Sequence, residues 1–82
     1  MTKDKLIALN KLSLGQSGKV HSLSAIGQQR RRMLDLGLVS GTVVKALQIS
    51  PSGDPTAYMI RGAVIALRSE EASKIMILAL EG

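Results

Sequence analysis

Residues 50–68, "SPSGDPTAYMIRGAVIALR", place turn-forming residues and β-type residues side by side. The two prolines cannot donate a hydrogen bond to a β-ladder, so strands must end before them or begin after them. Gly53 can adopt a positive φ, and Asp54 is biased toward an extended conformation because a proline follows it. The segment therefore predicts a wide corner over residues 50–55 with a strand on each side.

Alternating apolar residues predict the strands that follow this corner. Residues 56–61 form the return strand, with Tyr58 and Ile60 on one face. Arg61-Gly62 predicts a second reversal, and residues 64–68 form the next strand.

The strand before the corner has a less regular pattern. Residues 42–49 are rich in β-branched side chains, but their alternation is imperfect, with Val44 and Ala46 on one face. Either this strand is partly buried on both faces, or a β-bulge shifts its phase. Two further strands are predicted at residues 20–23 and 76–80.

Two short helices interrupt the strands. Apolar spacing from Ile26 predicts a helix over about residues 27–36, and Gly37 stands where a helix needs a left-handed residue beyond its C-terminus. A one-turn helix is predicted near residues 70–74, with Ser69 as its cap. Five or six short strands with these insertions predict a mainly β fold, a small sandwich or barrel, as one domain over residues 1–82.

Composition narrows the class of protein. The chain has 82 residues, a net charge of +5, no cysteine and 1% aromatic residues, Tyr58 being the single one. Disulfides and thiolate metal sites are therefore excluded, and the core must be aliphatic. No run reaches the roughly 20 apolar residues that cross a bilayer. The start has no secretory signal pattern, so the sequence predicts a cytoplasmic protein.

The sequence contains no recognisable catalytic constellation. His21 is the sole histidine, and no nucleophile elbow or Walker-type loop accompanies it. A weak divalent metal site could use His21, Asp54 and Glu71, but a solvent-facing His21 is the favoured interpretation. The chain is predicted not to be an enzyme and to require no cofactor.

The run Arg30-Arg31-Arg32 is the strongest charge feature. Successive helical residues lie about 100° apart, so the three side chains fan across the solvent side. They form either a solvated face or a patch for an acidic surface, on a protein or on nucleic acid. Nucleic acid is the less favoured partner, because Tyr58, which we expect to be half buried, is the sole aromatic platform for a base.

Several short motifs occur together across the chain. They are Leu36-Gly37-Leu38, Gly41-Thr42, Gly53-Asp54-Pro55, Tyr58, Arg61-Gly62, Ala66-Leu67-Arg68 and Glu71-Ala72. In this order and spacing, from about Leu9 to Leu80, the chain resembles the FeoA family, the small cytosolic component of bacterial ferrous iron transport. The resemblance implies an SH3-like barrel and an accessory role toward FeoB, the membrane ferrous transporter with a cytosolic GTPase domain. The domain type also resembles the C-terminal module of DtxR-type metal-dependent repressors.

The sequence and the resemblance together lead to one principal hypothesis. The chain is a non-enzymatic accessory protein that binds the cytosolic region of the transporter, modulates it and does not itself span the membrane. It would lie at the inner face of the plasma membrane through that partner. The predicted contact residues are Arg30, Arg31, Arg32, Leu36, Leu38, Ser52, Gly53 and Asp54. The alternative is a metal-responsive regulatory module with weak Fe²⁺ or Zn²⁺ binding, and the oligomeric state stays open.

Overall fold

A computed structural model describes residues 5–80 of the chain as six strands, two α-helices and a 3-10 helix. In chain order they are β1 (Leu6–Ala8), the 3-10 helix (Leu9–Lys11), β2 (Ser17–Leu23), α1 (Gly27–Asp35), β3 (Val43–Ile49), β4 (Thr56–Ile60), β5 (Ala63–Leu67), α2 (Ser69–Ala72) and β6 (Ile75–Ala79). The strands form one antiparallel sheet in the order β1-β6-β2-β3-β4-β5. The predicted mainly β class is confirmed.

One aliphatic core lies inside the curved sheet. Buried residues alternate with exposed ones along β2 and β3 and with partly exposed ones along β4, as the period of two requires. Tyr58 is 2% exposed, so the expectation that it is half buried was wrong. The largest fully buried side chains are Tyr58, Leu9, Leu38, Ile60, Leu67, Ile75, Ile77 and Val44.

The corner lies where the sequence predicts it. β3 ends at Ile49 and β4 begins at Thr56. Within the corner, Gly53 has φ 93°, and the Asp54–Pro55 peptide bond is cis. The Ser50 carbonyl accepts a hydrogen bond of 2.8 Å from the Gly53 N–H, so the loop is a compact turn rather than an open excursion.

The irregular alternation of β3 has a local cause. Its register with β4 shifts between Ala46 and Gln48, which leaves Leu47 as an extra residue. The bulge alternative is therefore correct. β2 has a similar irregularity against β6 between Val20 and Ser22, and His21 is the extra residue there. Bulges re-aim side chains, so both irregularities change which residues face solvent.

Helix α1 ends in a Schellman motif. The Gly37 N–H donates to the Leu34 carbonyl at 3.0 Å, and the Leu38 N–H donates to the Met33 carbonyl at 3.0 Å. Gly37 has φ 95°, the left-handed conformation expected of it. Leu38 and Met33 are both buried, and together they fix the helix end to the core.

Helix α2 begins differently from the prediction. Its N-cap is Arg68, whose N–H donates to the Glu71 carboxylate at 3.0 Å. Ser69 already lies within the helix, and its N–H donates to Asp54 Oδ1 at 2.8 Å. The Ser69 cap was thus wrong, because two carboxylates satisfy the first N–H groups instead.

Candidate partner-docking surface

Helix α1 carries its arginines over the outside of the molecule. Met33 is the buried residue of the helix, whereas Arg30, Arg31 and Arg32 are all exposed. Two side-chain hydrogen bonds connect the helix to its neighbours. Arg30 Nη1 donates to the Leu23 carbonyl of β2 at 3.3 Å, and Lys74 Nζ, in the turn before β6, donates to Gln29 Oε1 at 3.0 Å. The predicted fan of three arginines on the solvent side is therefore present.

The three arginines do not have equal freedom. Arg32 forms an ion pair with Glu71, and this is the sole ion pair among residues 5–80. Arg30 and Arg31 have no carboxylate within ion-pair distance in that part of the chain. Because a guanidinium offers five N–H donors, Arg30 keeps most of its capacity after bonding one carbonyl. Arg30 and Arg31 are the arginines that remain available to an acidic partner.

A groove of about 260 Å³ lies between α1 and the sheet, and we call it the helix groove. It is bounded by residues 20–23 of β2, by Arg30 and Leu34 of α1, and by residues 38–40. Leu34 is 39% exposed and Val39 is 41% exposed. The groove therefore combines an aliphatic floor with a basic side chain at its rim.

The outer face of α1 continues this surface. Gly27, Arg30, Arg31, Leu34 and Asp35 line a shallow depression of about 490 Å³. All five residues belong to one helix, so the depression has no opposite wall, and a small-molecule pocket would need one. This geometry suits a partner surface better than a small ligand.

Ile26, next to this depression, is 83% exposed. The sequence hypothesis missed Ile26, Leu34 and Val39 as surface residues. It had assigned Ile26 and Leu34 to the apolar side of the helix, because spacing alone does not show which turn of a short helix reaches the core. The one signal for Ile26 is its position immediately before Gly27, where the chain enters the helix.

The other predicted contact residues differ in how far they are exposed to solvent. Leu36 is half-buried against the core, and Leu38 has 0% exposure, so Leu38 offers no surface to a partner and is corrected to a core residue. Ser52 and Gly53 are exposed in the corner, and Ser52 Oγ donates to the Asp54 carbonyl at 3.0 Å. The Asp54 carboxylate accepts the Ser69 N–H at the start of α2, so it is already hydrogen-bonded within the chain.

The weak metal candidates fall into two places. Asp54 and Glu71 meet at the start of α2, where each carboxylate accepts a backbone N–H. His21 is exposed on the β2 bulge, as its favoured interpretation predicts, with Nδ1 3.1 Å from Ser22 Oγ. Among residues 5–80, no three side chains of the His, Cys, Asp or Glu types lie close enough to share a metal ion.

The family of the chain follows from its sequence and from this architecture together. A family model described as the FeoA domain matches residues 7–79. The chain belongs to the FeoA family. A curated relative from Porphyromonas gingivalis, the Fe(2+) transport protein A/Fe(2+) transporter FeoB fusion protein, is 32% identical over 69 residues. That match covers 84% of this FeoA chain but 8% of the relative.

Solved FeoA structures share the fold. The solution structure of FeoA from Chlorobium tepidum has a TM-score of 0.86 at 37% identity, covering 93% of this chain and 72% of that one. A zinc complex of Stenotrophomonas maltophilia FeoA, described as a unique procaryotic SH3 domain protein, has a TM-score of 0.76 at 29% identity, covering 84% and 86% of the two chains. The SH3-like fold predicted from the resemblance is confirmed.

The predicted likeness to metal-dependent repressors holds at the level of the fold. A manganese-dependent transcriptional repressor has a TM-score of 0.82 at 21% identity, and the match covers 98% of this chain and 45% of the repressor chain. At such low identity, the match shows a shared fold and gives no information about function. Within residues 5–80 of this FeoA chain, no helix has the length and apolar character needed to span a membrane.

Proposed function

We propose that this FeoA chain is a non-enzymatic accessory protein that docks on the cytosolic region of the ferrous transporter FeoB and modulates it. The observation that carries the proposal is the Porphyromonas gingivalis relative, in which the two proteins are joined in one polypeptide. A covalent fusion keeps its two parts at a high effective concentration, which is useful when they act together.

The structure supports a docking surface centred on α1. Arg30 and Arg31 have no ion-pair partner among residues 5–80, and Ile26 and Leu34 expose aliphatic surface beside them. Arginine next to aliphatic surface is typical of protein interfaces, whose cores combine apolar contact with a few charge-assisted bonds. Relative to the sequence hypothesis, the surface gains Ile26, Leu34 and Val39 and loses the buried Leu38. Arg32 and Asp54 are already engaged with Glu71 and Ser69, and the half-buried Leu36 and the exposed corner residues Ser52 and Gly53 stay predicted contacts outside its centre.

The metal-responsive alternative receives less support. The zinc complex is a property of the Stenotrophomonas maltophilia protein, and the repressor likeness is one of fold. In this chain Asp54 and Glu71 already accept backbone N–H groups, and His21 lies on a different element. Fe²⁺ or Zn²⁺ would compete with these bonds, and no three potential ligands lie together among residues 5–80. We therefore favour the accessory role on the cytoplasmic side of the membrane.

Calorimetric titration tests the proposal. The chain is titrated with the purified cytosolic region of the FeoB protein from the same organism, and we expect saturable binding. The double variant Arg30→Glu/Arg31→Glu should weaken binding by at least about tenfold, since each substitution replaces attraction by repulsion. Binding that is absent for the native chain would contradict the proposal.

A matched control separates local from overall charge. The variant Lys19→Glu/Lys45→Glu makes the same change in net charge on exposed positions of β2 and β3 that do not line the docking surface. Its affinity should stay within about threefold of the native value, because neither lysine lines the docking surface and salt at 0.1 M partly screens exposed charges. An equal loss in both double variants would show that overall charge decides binding and would argue against a surface on α1.

A further inference from the structure

We propose that the helix groove is a peptide-binding site, whose ligand is a short segment of a partner protein with an aliphatic side chain beside a carboxylate. This inference rests on the proposed function only in taking the transporter as the natural source of the segment. The groove is defined by its own residues, and a segment of the same chemistry from any other source would bind in the same way.

The size and lining of the helix groove favour a side chain over a small molecule. Its volume of about 260 Å³ lies below the roughly 300–1,000 Å³ of pockets that enclose drug-sized ligands. Three separate parts of the fold, β2, α1 and the loop at residues 38–40, supply its walls. Leu34 and Val39 are partly exposed there above the fully buried Leu38, so an aliphatic side chain of a partner would cover surface that water now contacts.

The charge at the rim defines the second part of the ligand. Arg30 donates through Nη1 to the Leu23 carbonyl, and this bond holds its guanidinium over the groove. None of the carboxylates in residues 5–80 forms an ion pair with Arg30, so its remaining N–H donors have no acidic partner there. A guanidinium held in place and unpaired matches a carboxylate in a two-pronged geometry. Arg31, on the adjacent depression, adds positive charge on the same side.

His21 and Ser40 complete the polar rim. The bulge in β2 makes His21 the extra residue, and its side chain lines the groove. Its Nδ1 lies against Ser22 Oγ, so Nε2 is directed away from that contact. A ligand backbone lying along the groove therefore passes two residues, His21 and Ser40, whose side chains can form hydrogen bonds.

A second copy of this chain fits the groove less well. Two copies meeting at this face would bring Arg30 and Arg31 of each toward the other, with a net charge of +5 on each chain. Of the four carboxylates in residues 5–80, Asp54 and Glu71 are engaged at the start of α2, and Asp35 is the one that lines the adjacent depression, against the two arginines there. Charge complementarity thus favours an acidic partner segment over self-association.

The test uses three blocked peptides without any transporter sequence. The first is an amphipathic peptide built from Leu, Glu and Ala, the second has Gln for Glu, and the third has Ser for Leu. Each is titrated into the isotope-labelled full chain while backbone amide signals are recorded. We expect the Leu/Glu peptide to shift signals of residues 20–23 and 38–40, and each of the other two peptides to bind about tenfold more weakly.

Chain variants locate the effect. Arg30→Gln should remove the preference for Glu over Gln. Val39→Ser, an exposed loop change, should weaken the two Leu-containing peptides by severalfold without disturbing the helix, and should change the Ser peptide little. Lys45→Gln, with the same loss of charge on β3, should leave binding unchanged. Equal binding of the Glu and Gln peptides to the native chain, or shifts centred away from the groove, would overturn the inference. A dimer of the native chain in sedimentation that Val39→Ser or Arg30→Gln dissociates would also overturn it, because a second copy would then occupy this face.

The result can be separated from that of the proposed function. If the Leu/Glu peptide binds in the groove but the FeoB cytosolic region does not bind, the groove inference stands and the proposed transporter role fails. If the FeoB region binds but neither Arg30→Gln nor Val39→Ser weakens it, and the peptide does not bind, the role stands and the groove inference fails.

Discussion

Gly37 shows how one residue joins two elements. It ends α1 with φ 95°, and a Cβ atom placed there would meet the aliphatic part of the Arg61 side chain. Arg61 itself has φ 51° and, with Gly62 at φ 84°, makes the two-residue turn between β4 and β5. Positive φ at both positions is typical of a type I′ hairpin. The end of the helix and the hairpin therefore meet at Gly37, where an added side chain would have to displace the side chain of Arg61.

Replacing Gly37 with Ala should lower the free energy of unfolding by about 1–3 kcal/mol, because the left-handed backbone and the Arg61 contact both oppose a Cβ. Gly53→Ala is the matched control, since its φ of 93° is similar but no atom lies within 4 Å of the added Cβ. Its loss should be about 1 kcal/mol, from the backbone alone. Urea unfolding of both variants measures the difference, and equal losses would show that the Arg61 contact is unimportant.

Tyr58 gives a pH-dependent test at the residue scale. Burial raises the pKa of its hydroxyl, a hydrogen bond with Thr56 partly opposes this, and the Asp54 carboxylate adds to the rise. Since the folded state then holds the proton more tightly than the unfolded state, the stabilisation is complete below the ordinary pKa near 10 and is lost as pH rises through the higher folded value.

The Tyr58→Phe variant has no proton to lose at this position. Its unfolding free energy should therefore fall less steeply than that of the native chain between about pH 9 and pH 12. Urea midpoints across this range give the comparison. Parallel curves for the two proteins would mean that the Tyr58 hydroxyl titrates alike in the folded and unfolded states.

At the scale of elements, the corner, α2 and α1 are connected by carboxylates. Asp54 accepts the Ser69 N–H, Glu71 accepts the Arg68 N–H, and Glu71 also pairs with Arg32. The first two bonds satisfy backbone donors at a helix start. The third joins Arg32, whose side chain is 57% exposed, to Glu71, whose side chain is 15% exposed. Solvent at the Arg32 side screens the pair, so the backbone caps should matter more.

The variant Asp54→Ala should lower the free energy of unfolding by about 1 kcal/mol, the usual effect of losing a helix cap. Arg32→Ala should change it by less than about 1 kcal/mol, because the ion pair is exposed. Thermal unfolding of the two variants shows which substitution lowers the stability more. A larger loss of stability for Arg32→Ala than for Asp54→Ala would show that the ion pair matters more than the helix cap.

Sequence patterns predicted most elements but not all of them. The five strands with alternating residues or flanking turn formers were found, with ends within a few residues, and Gly37 marked the end of α1. β1 was missed because its three residues are too few to show alternation, and its pairing with β6 is a long-range contact. The Ser69 cap was wrong because its competitor, Asp54, comes from a loop distant in sequence.

At the scale of the whole molecule, the sequence predicted the charge of the candidate site and not its shape. The run Arg30-Arg31-Arg32 indicated a basic surface on its own. The helix groove beside it depends on the β2 bulge at His21 and on how Leu34 and Val39 sit against the sheet, and none of these follows from local pattern. Leu38 was misassigned for the same reason, since the Schellman turn directs it into the core.

The most direct test of the account maps where the partner contacts the chain. The isotope-labelled chain is titrated with the FeoB cytosolic region from the same organism, and backbone amide shifts are recorded. We predict that the largest shifts fall on residues 26–35 and on residues 20–23 and 38–40 around the helix groove. Residues 56–59 and 64–67 of the β4–β5 hairpin should change little, whereas Arg61 contacts the end of α1 and is left out of this comparison. Shifts concentrated on β4 and β5, or none at saturating partner, would contradict the claim that this FeoA chain docks through α1.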